Sequence, residues 1–422
     1  MSNEYEIIVI GAGSAGLMAA AELSAKGKRV LILEARDRIG GRAHTFSDNG
    51  IIYEAGSEFI HGDLPLTLSL LKEGGLQYEE TTGEMGRSKN GKWIIDEDNT
   101  EGWDGLMKKM KHLKTDVDLQ SFLDLKFKGN QYRELRNSAI RYAEGFDLAN
   151  PAKASVLELY KEWKKENYHA YRIVKGYGAL MDFILQKSTT HGCQISLGQI
   201  VKEIQWKKND VVVFTAGQQQ FRAKKIVVTV PLPLLQDESN EAGIQFKPSL
   251  GKIHEAFRRI GYGQVIKILL SFKYGFWQAK RAHLGFVVSD QPIPTWWLQT
   301  SESSHLLTAW IGGPNAEKLG LQTQEEIIRI AINSLAVIFH EKPESLKAQL
   351  EKSWIFNWHK DKFALGGYAF PYPESRKARK LINKSIEETL FFAGEAVYEG
   401  PAPGTVEAAL NSGKEITPRV LI

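Results

Sequence analysis

Three glycines and an acid near the start of the chain are spaced for work on phosphates and sugars. In EIIVIGAGSAGLMAAAELSAKGKRVLILEA, Gly11, Gly13 and Gly16 form GxGxxG around Ser14 and Ala15, and Glu34 and Ala35 close the stretch. Gly11 permits a tight turn, Gly13 lets backbone N–H groups approach a pyrophosphate, and Gly16 lets a helix and a strand pack closely. Glu34, about 20 residues on, is placed to accept hydrogen bonds from a ribose diol. The next residues, RDRIGGR, add Arg36, Arg38, Gly40, Gly41 and Arg42, a second place where backbone and guanidinium groups can meet phosphate. Far downstream, Lys267 stands in the apolar run QVIKILLSF. On a strand it shares a face with Val265 and Leu269, while Ile266, Ile268 and Leu270 take the other. A lysine deprived of water loses part of its reason to stay protonated, and such groups gather where chemistry happens. The competing reading is an edge-strand lysine whose amine snorkels to solvent.

The elements that must position these residues can be read in outline. Ile7 to Ile10 are a buried parallel strand, Leu17 to Leu23 are helix formers, and Val30 to Leu33 are a second strand ending at Glu34. The order strand, glycine turn, helix, strand, acid predicts a Rossmann-type dinucleotide site, with phosphates at the helix N-terminus. It does not choose between NAD and FAD. LFFAGEAVYEGPAPGTVEAALNSG repeats the logic near the end of the sequence: a strand from Leu390 to Ala393, Gly394 and Glu395 at its end, then Thr405 and Val406 at the start of a helix. Between them, ISLGQIVKEIQWKKNDVVVFTAGQQQFRAKKIVVTVPLPLL reads as short strands and hairpins, and KKMKHLKTDVDLQSF carries helical periodicity with solvated charged faces. GRSKNGKW contains GxxxxGK, but Trp93 stands where a phosphate loop needs Ser or Thr and no apolar strand leads in, so it is discounted.

With GAGSAGL and then ExxxRxGGR over Glu34 to Arg42, the sequence resembles the flavin-containing amine oxidases, nearest their polyamine-oxidase-like branch. Further stretches match in family order. Gly56, Ser57, Glu58, Phe59, Ile60, His61 and Gly62 match a segment whose backbone approaches the flavin and whose histidine position lines the substrate cavity. GYGALMDFI resembles the return to the flavin domain, and Val201 matches a residue whose backbone pairs with adenine. In NWHKDKFALGGYAFPYP, Trp358 and Tyr368 match a flavin-side tryptophan and a cage tyrosine. The resemblance gives Lys267 the role of holding a water against flavin N5, Glu395 that of binding ribityl hydroxyls, and the Thr405–Val406 backbone that of facing flavin N1 and C2. It is loosest over residues 92–172 and 276–350. Two departures carry consequences. Gly367 stands where covalently flavinylated members have cysteine, so FAD is expected to be non-covalent. The second cage position falls between Pro401 and Thr405, none of them aromatic, which implies an open cleft.

The fold implied is mixed α/β and α+β: a discontinuous FAD-binding domain from 1–80, 175–256 and 366–422, and an inserted substrate domain of mixed sheet and helices from 81–174 and 257–365. The activity implied is oxidation of a primary or secondary amine or polyamine, with hydride transfer to FAD, imine hydrolysis to an aldehyde, and dioxygen reduced to hydrogen peroxide. Bulk properties agree. A length of 422 residues suits two or three domains, and a net charge of +4 gives no warrant for nucleic-acid or membrane partners. One cysteine, Cys193, allows neither an intramolecular disulfide nor a cysteine-based zinc site, no metal is expected, and the default compartment is cytoplasmic. The start, MSNEYEIIVIGAG, lacks the basic opening of a signal peptide and is read as retained structure. The sequence is silent on oligomeric state. Rival readings are an L-amino-acid oxidase, which needs an arginine for the substrate carboxylate, a desaturase or porphyrinogen oxidase of the same fold, and a non-catalytic flavin-binding protein. An NAD dehydrogenase would be colourless.

Overall fold

The computed structural model describes residues 5–94, 101–164, 169–281, 283–298 and 305–422. Two large sheets organise it. The first has eight strands. Tyr5–Ile10 lies at its centre, parallel to Val30–Leu33 on one side and to Gln220–Val228 on the other, and Gln194–Ser196 and Leu390–Phe392 extend the parallel region outward. Ile7–Ile10, Val30–Leu33, Ile226–Val228 and Leu390–Phe392 are apolar and buried, as parallel strands covered on both faces must be, while the edge strand Gln194–Ser196 is partly exposed. Gln220–Val228 also changes partner along its length: Phe221 to Ala223 pair antiparallel with Asp210–Thr215, which in turn pairs with Val201–Lys207. A hairpin layer is thereby welded to a dinucleotide-type sheet.

Helix Ser14–Ala25 covers one face and is crossed by helix Val406–Val420. The crossing is close because Gly413 presents no side chain: a Cβ there would run into the Ala15 carbonyl oxygen. Gly16 does the same job against the strand, since its Cβ would collide with the Gly11 carbonyl oxygen. Gly11 itself sits at φ +101°, a conformation glycine adopts freely.

The second sheet has seven strands in the order Leu350–Asn357, Val265–Phe272, Leu306–Gly312, Thr295–Leu298, Leu284–Ser289, Glu84–Lys89, Lys92–Ile94. Ile266, Ile268 and Leu270 pack beneath helix Gln324–Phe339, through Ile327, Ala331 and Leu335. The opposite face, with Val265 and Leu269, meets Trp358, Ala364 and Tyr53 on the side of the first sheet. Helices Trp103–Lys111, Leu119–Lys126, Arg133–Gly145 and Val156–Trp163 share a separate apolar core, their charged faces outward. The discounted GRSKNGKW is a hairpin at the edge of the second sheet, and Trp93 donates from its indole N–H to the Ile338 carbonyl at 2.9 Å. Among the described residues no helix is long and apolar enough to cross a membrane.

Candidate active site

A cleft with about 1090 Å³ of empty space runs along the carboxyl ends of the first sheet's strands, where open parallel sheets take their ligands. Of the residues singled out from the sequence, Gly11, Gly13, Ser14, Ala15, Glu34, Ala35, Arg36, Gly41, Arg42, Ser57, Val201, Gly394, Glu395, Thr405, Val406 and Tyr368 line it. They come from three separated stretches of chain. Phe363 and Ala364 line it too, although the sequence reading assigns their segment to the substrate domain. Thr229, Leu234 and Ile244 also line it without having been singled out, although Thr229 stands inside VVTVP and the other two follow it in the chain.

The lining suits a dinucleotide. Helix Ser14–Ala25 has no side chain capping its start, so its first N–H groups are left for a ligand. A Cβ on Gly13 would meet no protein atom within 4 Å. Glu34 is buried at the end of its strand, accepting from the Ala12 N–H at 2.7 Å and the Arg36 N–H at 2.9 Å, with a further lone pair on each oxygen for a ribose hydroxyl. Arg38 stands outside the lining and donates to the carbonyls of Ile39 and Gly41; burial plus the neighbouring Arg36 bring its pKa down to about 10, against the opposing pull of Glu34, Asp361 and Asp37.

Two ion pairs fasten the walls. Arg36 holds Asp361 through both terminal nitrogens, at 3.0 and 2.5 Å. Arg42 bridges Glu395 at 2.8 Å and the Gly367 carbonyl at 2.5 Å. Thr405 caps helix Val406–Val420, its hydroxyl accepting from the Ala408 N–H at 3.1 Å. Val201 lies beside an irregularity in strand register.

Four predicted cofactor residues stand outside the lining. Gly16 serves helix packing, Gly56 lies against the Trp358 ring, and Phe59 faces the aromatic residues described below. Glu58 is buried and engaged elsewhere: its Oε2 accepts from the Lys267 ammonium at 2.7 Å, and its Oε1 accepts from Arg172 and from the Trp297 indole, both at 2.9 Å.

Lys267 is fully buried in the middle of the second sheet, between strands Leu350–Asn357 and Leu306–Gly312. It is no snorkelling edge residue. Besides Glu58 its ammonium donates to the Gly56 carbonyl at 3.0 Å, so it reaches the back of the segment whose next residue, Ser57, lines the cleft. Trp358 is buried, donates to the Ala55 carbonyl at 3.0 Å, and shares an apolar cluster with Val265, Leu148 and Tyr368. Lys267 and Trp358 therefore converge on residues 55–56.

Tyr368 connects the cleft to a second recess. Its hydroxyl donates to the Phe146 carbonyl, and the Phe146 ring meets the exposed His61 ring edge-on at 5.7 Å. From His61 the ring contacts continue through Phe59 to Phe286 and Trp297, and Trp297 faces Trp310 at 6.3 Å. A Cβ on Gly404 would press on the Tyr368 ring at 2.9 Å, so glycine lets the backbone pack against that side of the ring. Burial raises the Tyr368 phenol well above its usual range, with Asp147 adding to it. Asp147, one residue beyond Phe146, accepts from the Trp163 indole at 2.9 Å, and burial lifts its carboxyl to about 7. Glu144, also raised by burial, accepts from Asn315 at 2.9 Å. Phe146, Asp147, Arg172 and Trp297 had no signal in the sequence beyond their types.

A dinucleotide-type sheet whose cleft ends at an aromatic recess under a second sheet defines a flavin oxidoreductase. The chain belongs to the flavin-containing amine oxidoreductase family, matching it over residues 14–421. FAD is its cofactor, and the lining fits that group. Among curated relatives it is 26% identical to mouse lysine-specific histone demethylase 1B, over 97% of this chain and 52% of that protein. It is also 26% identical to rice polyamine oxidase 3, over the whole of this chain and 90% of that one. The chain thus spans about half the length of that demethylase. A putrescine oxidase bound to putrescine shares the fold, with a TM-score of 0.83, 18% identity and full coverage of both chains.

Proposed function

We propose that this chain oxidises the C–N bond of an amine with a second cationic nitrogen, a diamine or polyamine, and passes the electrons to dioxygen. The observation that carries the reading is Tyr368: it lines the cofactor cleft and, through Phe146, borders a recess of aromatic rings with the Asp147 carboxylate close by. Bound FAD supplies the acceptor for a hydride from the carbon next to nitrogen. The chain's own residues do the rest by position and electrostatics. Tyr368 offers an aromatic face that attracts an approaching ammonium, and buried Trp358 packs behind it and helps exclude water. Tyr368 stays a neutral phenol, and the exposed His61 ring can hydrogen-bond at the edge of the recess. Asp147 and Glu144 are carboxylates able to hold the distal nitrogen. Lys267 orders a water through the ammonium hydrogen left over from Gly56 and Glu58. The imine product is hydrolysed to an aldehyde and a smaller amine or ammonia, and dioxygen leaves as hydrogen peroxide. An amino-acid substrate would need a guanidinium for its carboxylate, and Arg172, the arginine nearest the Phe59 ring, is committed to Glu58 and the Leu298 carbonyl.

The test is anaerobic mixing of the yellow holoprotein with putrescine, spermidine, spermine, N-acetylated polyamines, monoamines and amino acids. Bleaching by the first group, and peroxide on admitting air, is the expected result. No bleaching by any amine removes the oxidase reading. Lys267→Met should retain FAD at full occupancy yet slow turnover about tenfold or more. Wild-type rates would return Lys267 to a packing role.

A further inference from the structure

Lys267 is held from a direction that the strand around it does not reveal. A lysine ammonium has three hydrogens. One goes to the Gly56 carbonyl at 3.0 Å and one to Glu58 at 2.7 Å. Glu58 cannot swing away, because its other oxygen accepts from Arg172 and Trp297 at once, and Arg172 is itself anchored to the Leu298 carbonyl at 2.5 Å. The Trp297 ring also lies 5.6 Å from the ammonium, closing another side. A buried ion pair of this kind is weak evidence for stability, since apolar residues of similar volume do as well or better. Its place at the junction of the two sheets, behind residues that line the cleft, points to another role.

We propose that Glu58 is a positioning residue for Lys267: clamped by Arg172 and Trp297, its carboxylate joins the Gly56 carbonyl in taking two ammonium hydrogens and leaves the third for the water on the cofactor side. This rests on the role given to Lys267 above. Without Glu58 the ammonium keeps one anchor and rotates about it, and the water loses its fixed donor. Arg172 and Trp297 are then positioning residues one step further out.

The experiment follows reoxidation of holoprotein reduced with dithionite, so that no amine substrate is needed. The reduced cofactor gives up two electrons, and dioxygen takes them with two protons to become hydrogen peroxide. Glu58→Gln should keep FAD and slow this step about tenfold or more, close to Lys267→Met, and the double variant should be no slower than Lys267→Met alone. The visible circular dichroism of the oxidised, bound FAD should change alike in both single variants, a readout independent of turnover. If Glu58→Gln fails to retain FAD, Trp297→Phe removes one clamp while keeping Glu58, and should slow the step about two- to fivefold. Wild-type rates in Glu58→Gln or, should that variant lose FAD, in Trp297→Phe overturn the proposal. So does equal slowing by Glu58→Gln with and without Lys267. Wild-type reoxidation in Lys267→Met overturns the role of Lys267 and this proposal with it. Failure of every amine to bleach the flavin, with these rate effects intact, removes only the amine-oxidase reading.

Discussion

Asp147 is a residue whose charge changes where an enzyme works, and it is the one beside Tyr368. Burial favours the neutral carboxyl and brings its pKa up to about 7, despite the stabilising hydrogen bond from Trp163. Below that pH it is mostly neutral and has no charge to offer a distal ammonium; above it the carboxylate forms. The kcat/KM for a diamine should therefore rise between about pH 6 and 8 through this group, in addition to any limb set by the reacting amine's own proton. Asp147→Asn should remove the first limb, keep the second, and cut the preference for diamine over monoamine about tenfold. An unchanged pH profile and preference would show that Asp147 does not meet substrate. Nothing in the residue pattern marks Asp147: it is an ordinary acid after a helix, and only folding brings Trp163 and Tyr368 to it. The Glu58–Lys267 pair, 209 positions apart, was equally hidden, although Lys267 itself stood out by its apolar neighbours. Chemistry carried by contiguous backbone is legible in a sequence, whereas chemistry carried by side chains meeting across the fold is not.

At the scale of elements, the glycine turn was legible because each glycine answers a local demand, and two of them separate cofactor binding from folding. Gly13 has φ −76° and free space beyond it, so Gly13→Ala strains nothing and touches no protein atom. The variant should fold with an unchanged melting temperature as apoprotein and bind FAD at least tenfold more weakly, because the new methyl occupies the phosphate approach. Gly16→Ala would drive its methyl into the Gly11 carbonyl and should instead lower the yield of folded protein. Equal FAD affinity in Gly13→Ala and wild type, measured by fluorescence quenching, would remove the helix N-terminus from the binding site. A different element depends on a cap from outside itself. Helix Pro65–Glu73 has no capping side chain of its own; buried Glu407 accepts from the Leu66 and Thr67 N–H groups at 3.0 and 2.7 Å and from the Thr67 hydroxyl at 2.6 Å. Glu407→Ala strands those donors and should cost about 2–4 kcal/mol. No sequence rule finds a cap supplied from some 340 residues away.

Across the whole molecule, the cleft is walled by residues from near both ends of the sequence and from its middle, so the cofactor binds where three distant stretches must already have assembled. The order of motifs puts strand, glycine turn and helix near both ends of the sequence. What it could not foretell was how the second sheet meets the first, because that contact depends on Arg36 with Asp361, Arg42 with Gly367 and Lys267 with Glu58. Each joins stretches of chain more than 200 residues apart, and two of them belong to the cleft wall. A ligand that binds only the assembled state raises its stability by mass action. FAD added to apoprotein at about 100 times its dissociation constant should therefore stabilise the fold by about 2.7 kcal/mol, and the denaturation midpoint should climb with the logarithm of FAD concentration. Asp361→Asn breaks the bidentate clasp without removing any group from the lining. It should leave the apoprotein midpoint nearly unchanged, because the pair is partly exposed, yet speed FAD dissociation several-fold as the segment carrying Phe363 and Ala364 loosens. A midpoint insensitive to FAD would mean that the cleft is not assembled from these three stretches in solution. An unaltered dissociation rate in Asp361→Asn would confine the clasp to a surface ion pair.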